Sequence, residues 1–276
     1  MRVAWVGPHF GEEPPITGEN GSGTVFFTGC PLRCVFCQNY QISHEGIGGF
    51  VSVDELAARV VRMIEADRVH NVNFVTPDPF FPRVFSVVER LQGKGFDLPM
   101  VYNLSGYQSV TMLRQAEERA DIYLPDYKHG DSRLSTRYAS CPDYPGVALD
   151  AIGEMLRQKG PLDVFETRAS LARKGVLVRH LILPGHVENS LDALSSLFLE
   201  FGADLPVSLM SQYRPRTDRL PASLTRPLLE EEFDRVYAHV RELGFRNLFV
   251  QFPPEDGEGR EEAPFFPDFR EERPFR

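Results

Sequence analysis

Three of the four cysteines of this chain fall in one short run, Gly29-Cys30-Pro31-Leu32-Arg33-Cys34-Val35-Phe36-Cys37. The spacing is Cys-x3-Cys-x2-Cys, and an aromatic residue, Phe36, stands immediately before the last cysteine. Thiolates this close on one loop can each bind a different iron of a cubane iron–sulfur cluster. Zinc asks for a closed tetrahedral set of four ligands, commonly built from paired Cys-x2-Cys units, and the sequence holds no second pair. A cubane held by three protein thiolates leaves one iron open to a small molecule, which separates a catalytic cluster from the four-cysteine cage of an electron carrier.

Competing readings of the same loop are a zinc site or small buried apolar side chains, the ordinary fate of an intracellular cysteine. His44, after Asn39-Tyr40-Gln41-Ile42-Ser43, could complete a cage but reads more simply as a polar loop position. Cys141, in Ser140-Cys141-Pro142-Asp143, is remote in sequence and reads as an ordinary thiol.

Such a loop needs rigid elements beneath it. Short β-rich runs begin at Thr24-Val25-Phe26-Phe27 and recur at 71–75, 100–103, 121–124, 176–183, 207–210 and 247–250. Helical patterns lie between them. Ser52 and Glu55 read as a capping box before Val53, Leu56, Val60 and Ile64. Further patterns cover 80–92, 107–119, 147–159, 163–174, 190–201 and 227–243, the last closed by Gly244. The alternation predicts seven parallel strands in an α/β fold, either a barrel or an open doubly wound sheet, with functional groups at strand C-termini. The long gap between the strands from 121 and from 176, with its two helical patterns, reads as an insertion.

Residues 1–23 read as an irregular N-terminal extension, 24–252 as the strand-and-helix domain, and 253–276 as an acidic, proline-bearing tail in which Phe265, Phe266 and Phe269 could pack back. The chain's 276 residues, 42% of them hydrophobic, can bury a sizeable core. A net charge of -9 argues against a general nucleic-acid or membrane-surface protein, since those partners call for a basic face. The sequence has no apolar run of spanning length and begins without the basic-then-apolar order of a signal peptide, so the expected location is cytoplasmic.

The cysteine run after a first strand resembles the radical S-adenosylmethionine (SAM) enzymes, and within them the activating enzymes of glycyl radical enzymes, in particular pyruvate formate-lyase activating enzyme-like proteins. His9 to Pro15, Gly21-Ser22-Gly23-Thr24, Cys37-Gln38-Asn39-Tyr40, Asn71 to Pro77, Leu124 to Lys128, His180 to His186 and Met210-Ser211-Gln212-Tyr213 extend the likeness over most of the chain. The resemblance implies a partial (β/α)6-type, TIM-like barrel with the cluster loop after its first strand. It implies a 4Fe-4S cluster on Cys30, Cys34 and Cys37, SAM on the open iron, and an external electron donor of flavodoxin or ferredoxin type. It also implies a glycyl radical enzyme as partner; a small molecule or another protein target is the alternative, and a non-catalytic iron–sulfur or zinc protein the alternative of another class.

Asp126 and Lys128 match the Asp-x-Lys motif by which that branch touches the cofactor. Phe36 and Asn39 on the loop join the implied cofactor set. Thr76, Ser105, Asp126, Lys128, Arg179 and Gln212 fall at or near expected strand ends, where a barrel converges them. Asp126 could accept hydrogen bonds from a ribose hydroxyl or an ammonium, and Lys128 or Arg179 could pair with the methionyl carboxylate. The chain departs from the branch after the second strand, where Thr76-Pro77-Asp78-Pro79 replaces a glycine-rich stretch that meets the cofactor's amino group.

Overall fold

The computed structural model describes residues 1–216, 220–253 and 267–275. Its strands are β1 (Arg2–His9), β2 (Ser22–Phe27), β3 (Gly49–Phe50), β4 (Val72–Val75), β5 (Met100–Leu104), β6 (Ile122–Pro125), β7 (Gly175–Val176), β8 (Val178–Leu181), β9 (Val207–Met210) and β10 (Leu248–Val250). Its helices are α1 (Pro14–Thr17), α2 (Tyr40–Ser43), α3 (Val53–Asp67), α4 (Phe81–Gly93), α5 (Val110–Ala116), α6 (Ser132–Ala139), α7 (Tyr144–Lys159), α8 (Val164–Thr167), α9 (Val187–Phe201) and α10 (Glu230–Leu243). No described helix is long and apolar enough to cross a membrane.

The strands run in the order β3-β1-β2-β4-β5-β6-β7, and a second sheet runs β10-β9-β8. A parallel bridge between Asp126 and Arg179 carries the first sheet into the second. From β2 onward every pairing is parallel. Residues of β4 and β6 are buried throughout, as expected of strands covered on both faces. Phe74, Tyr102 and Tyr123 stand in register across β4, β5 and β6, and Phe81 of α4 stacks on Tyr102 at 5.8 Å. These rings belong to the core beneath the helical layer. Among the described residues β1 and β10 do not pair, so the α/β sheet curls as a partial barrel open on that side.

Each expected strand is present. The run 176–183 is divided into β7 and β8, where Leu177 turns its N–H to Tyr123 O while Val178 bonds Pro206 O. Ser52 Oγ accepts the Glu55 N–H at 3.1 Å, yet the Glu55 carboxylate turns to Arg59, so half of the capping box forms. Gly244 closes α10 in the left-handed region.

Several elements differ from expectation, among them the short α1, α2 and β3, which the sequence reading did not include. The irregular N-terminal flank contains β1, antiparallel to β2; Gly7 and Pro8 hide it, but proline is tolerated because this end of β1 is a sheet edge. The helix expected over 163–174 stops at Thr167. Arg168 is left-handed there, and the Asp163 carboxylate accepts the N–H groups of Arg173 and Lys174 at 3.2 Å, folding the chain back. Between β6 and β7 lies α6, absent from the sequence expectation, with Asp131 accepting the Arg133 N–H at its start.

The tail packs in part. Phe269 is buried against Phe26 at 5.2 Å, and Gln41 bonds both Asp268 and the Phe269 N–H at 2.8 Å. Phe265 and Phe266 lie outside the described residues.

Candidate functional site

Gly29, at φ 105°, turns the chain out of β2 in a conformation side chains rarely adopt, and Arg33 at φ 46° turns it again. The loop is then pinned at several points. Cys37 N–H bonds Cys34 O at 3.1 Å, Val35 N–H bonds Tyr138 O at 2.9 Å, and Ser43 Oγ donates to Cys37 Sγ at 3.3 Å. His44 spends Nε2 on Arg33 O at 3.0 Å and Nδ1 on Ser43 at 2.8 Å, so it serves the loop's shape. Phe36 packs edge-on against His129 and Tyr138, at 5.7 and 6.2 Å.

Burial pushes the Cys30 thiol up to about 11, with help from the charge of Asp78. Cys34 and Cys37 are also raised by burial, against the opposing pull of Lys128 on Cys34 and of Ser43 on Cys37. Buried thiols without a cation stay protonated, and ligation to a metal would expel those protons. Among the described residues no group of three or more His, Cys, Asp or Glu side chains could hold a metal ion. Three thiols serving three separate irons need no common point, so this donor set is compatible with a cubane.

The loop closes one end of a cavity of about 480 Å³. Cys30, Cys34, Cys37, Phe36, Asn39, Thr76, Ser105, Asp126, Lys128, Arg179 and Gln212 all line it, so the fold brings the implied cluster and cofactor residues to one place. Cys141 is not among the lining residues.

The strand ends are held closely. Lys128 Nζ donates to Asp126 Oδ2; burial alone would lower the lysine's pKa, but the Asp126 charge outweighs it and raises it. The Tyr144 hydroxyl ties the ends together, lying 3.0 Å from Ser105 O and 2.8 Å from Asp126 O and accepting the Lys128 N–H at 3.0 Å. Gly106 makes that approach possible: at φ 84°, an added Cβ would sit 2.0 Å from Asp126 O. Thr76 is left-handed at φ 53°, rare for a β-branched residue, with its N–H on Asn103 O at 2.9 Å. The Ser105 hydroxyl donates to Asp78, which also receives Gln108 Nε2 at 2.6 Å. Asn39 Oδ1 is buried without a partner.

Arg179 meets a different setting from the one expected. Its guanidinium is engaged by Glu12 at 2.5 Å and by Glu13, with all three side chains no more than 8% exposed. Burial alone would raise Glu13, but Arg179 holds it below the ordinary carboxylate range. Sequence reasoning missed Glu12, Glu13, His9, Gln38 and Gln251 as cavity residues. The adjacency of two acids before Pro14 was the available signal for the first pair.

The radical SAM superfamily model matches residues 24–194, well over half of the chain, and the chain belongs to that superfamily. Its members use a 4Fe-4S cluster and SAM. An uncharacterized protein of Methanocaldococcus jannaschii is 26% identical over 235 residues, covering 82% of this chain and 63% of the relative, so this chain spans less than two thirds of that protein's length. Methylornithine synthase (PylB) superimposes with a TM-score of 0.53 at 14% identity, covering 83% of this chain and 70% of its own. Streptococcus suis SuiB gives 0.54 at 11% identity, covering 81% and 47%. Native anSMEcpe with bound AdoMet gives 0.54 at 9% identity, covering 81% and 61%. At these identities the likeness is one of fold.

Proposed function

We propose that Cys30, Cys34 and Cys37 hold three irons of a 4Fe-4S cluster, that SAM occupies the cavity beneath it, and that the protein abstracts hydrogen from a glycine of a partner enzyme. When bound, the cluster supplies one electron to the sulfonium of SAM, giving methionine and a 5'-deoxyadenosyl radical that takes a hydrogen atom from carbon. The observation carrying the reading is the coincidence, in one cavity, of three thiols suited to a cubane and the Asp126–Lys128 pair.

The chain's own residues bind and orient. Asp126, anchored through its carbonyl by Tyr144, offers a carboxylate oxygen to a ribose hydroxyl or an ammonium. Lys128 stays charged and faces a carboxylate from the same spot. Thr76, Asn39, Ser105 and Gln212 furnish neutral polar walls, and Phe36 keeps the loop packed. Arg179 is paired with two carboxylates, Glu12 and Glu13, and Lys128 with one, Asp126, so the reading proposed here gives the methionyl carboxylate to Lys128.

The resemblance to the family implies that the electron comes from an external donor of flavodoxin or ferredoxin type. The test is anaerobic reconstitution with iron and sulfide, then dithionite, SAM and candidate partner enzymes, followed by electron paramagnetic resonance. A glycyl doublet supports glycine abstraction; 5'-deoxyadenosine formed without any partner radical rejects it and favours a small-molecule or other protein target.

A further inference from the structure

The Asp126–Lys128 pair stands just past the end of a sheet ladder. The last rung between β5 and β6 sets Leu104 opposite Pro125 and is closed by Asp126 N–H on Leu104 O at 3.0 Å. Beyond it the backbone finds its partners elsewhere. Tyr127 N–H goes to Arg179 O at 2.8 Å, His180 Nδ1 donates to Tyr127 O at 2.7 Å, and Asn189 Nδ2 donates to Lys128 O at 3.1 Å. Three backbone groups are left, Ser105 O, Asp126 O and Lys128 N–H, and the one Tyr144 hydroxyl reaches all of them. A hydroxyl has one proton and two lone pairs, so it accepts from Lys128 while its proton is shared between the two carbonyls. Burial pushes its pKa up, which keeps that proton in place.

Ser105, Asp126 and Lys128 line the cavity, and Tyr144 does not. It is fully buried at the start of α7, in the stretch between β6 and β7 that the sequence reads as an insertion. Its ring is held on several sides: Tyr107 and Tyr127 stack on it at 6.2 and 6.4 Å, and His129 meets it edge-on at 5.7 Å. A ring so packed holds its hydroxyl at one point, and that point fixes both flanks of the 126–128 turn. Asp126 and Lys128, two residues apart, thereby present their side chains to the same cavity.

We propose that Tyr144 is a positioning residue whose hydroxyl sets the Asp126–Lys128 turn in the geometry that holds SAM, so that the insertion serves the cofactor through it. The proposal rests on the radical reading above, in which these two side chains meet SAM.

The experiment uses the reconstituted full chain as wild type, Tyr144→Phe and a matched control, Tyr123→Phe. The control removes another buried hydroxyl, which donates to Gln158 Oε1 at 2.7 Å and belongs to a residue outside the cavity lining. SAM binding is measured at equilibrium without reductant, 5'-deoxyadenosine formation with dithionite over a range of SAM concentrations, and urea midpoints alongside. Both Phe variants should lower the urea midpoint, since each loses a buried hydrogen bond. Only Tyr144→Phe should weaken SAM binding, roughly 3- to 10-fold, with KM rising in step and kcat within about twofold of wild type. Tyr144→4-aminophenylalanine, which returns N–H donors to the two carbonyls, should bind SAM with an affinity between those of wild type and Tyr144→Phe, and it stands in for Tyr144→Phe should that variant not fold. SAM affinity equal to wild type in the variants at 144, or an equal loss in Tyr123→Phe, would overturn the proposal. A wild type that neither binds SAM nor forms 5'-deoxyadenosine would instead overturn the reading on which it rests.

Discussion

Arg179 and Lys128 are both buried cations at strand ends, yet their partners give them different work. Lys128 faces one carboxylate, Asp126, and both side chains line the cavity. Arg179 faces two, Glu12 and Glu13, and all three side chains are buried. Breaking a buried ion pair from one side strands the other charge, so Arg179→Met should cost about 3–5 kcal/mol in denaturant unfolding. Adding Glu12→Gln and Glu13→Gln to that variant should recover part of the loss. A variant as stable as wild type would mean the two acids reach water. The residue types at the cavity were legible in sequence, because cysteine spacing and an Asp-x-Lys pair carry their chemistry locally. The assignment of Arg179 was not, since its partners lie far off in sequence and only packing of β1 against the barrel brings them near.

Elements are held by their ends as much as by their cores. Glu232, in the first turn of α10, accepts the N–H groups of Leu229 at 3.0 Å and Gly185 at 2.6 Å and pairs with Arg226 at 2.7 and 2.8 Å. Hydrogen bonding to Arg226 first, opposed by burial and aided by those N–H groups, holds its carboxyl down to about 2 from an ordinary 4.5. A depressed carboxyl contributes stability above its unfolded pKa and loses it as pH falls toward the folded one. Glu232→Gln should therefore be less stable than wild type by about 1–3 kcal/mol at pH 7, with the gap narrowing between pH 4.5 and 2. Urea midpoints across that range decide it, and a gap independent of pH contradicts the assignment. The strands and most helices were readable from period alone, while β1 and α6 were not. In β1, Gly7 and Pro8 argue against a strand unless its edge position is known, and in α6 a run rich in serine and arginine hides a single buried stripe of Leu134, Ser135, Tyr138 and Ala139.

At the scale of the molecule, an open barrel must cover the inward side of its outer strands. Phe275 does this from the tail, lining the cavity while packing on His9 at 4.2 Å, Phe26 at 5.2 Å and Trp5 at 5.4 Å. Phe275→Ala should lower the urea midpoint and speed the bleaching of a reconstituted cluster in air; bleaching at the wild-type rate would show that this wall does not limit access. The chain's overall negative charge says little about the site, whose lining charges are largely paired among themselves. The central claim is that the three thiols and the cavity form one radical-generating centre. Anaerobic reconstitution of wild type and Cys34→Ala, with iron counting and assay of 5'-deoxyadenosine after dithionite and SAM, addresses it most directly. Wild type should hold about four irons per chain and form 5'-deoxyadenosine, with loss of product in Cys34→Ala. Stoichiometric zinc in wild type with no 5'-deoxyadenosine would contradict the account.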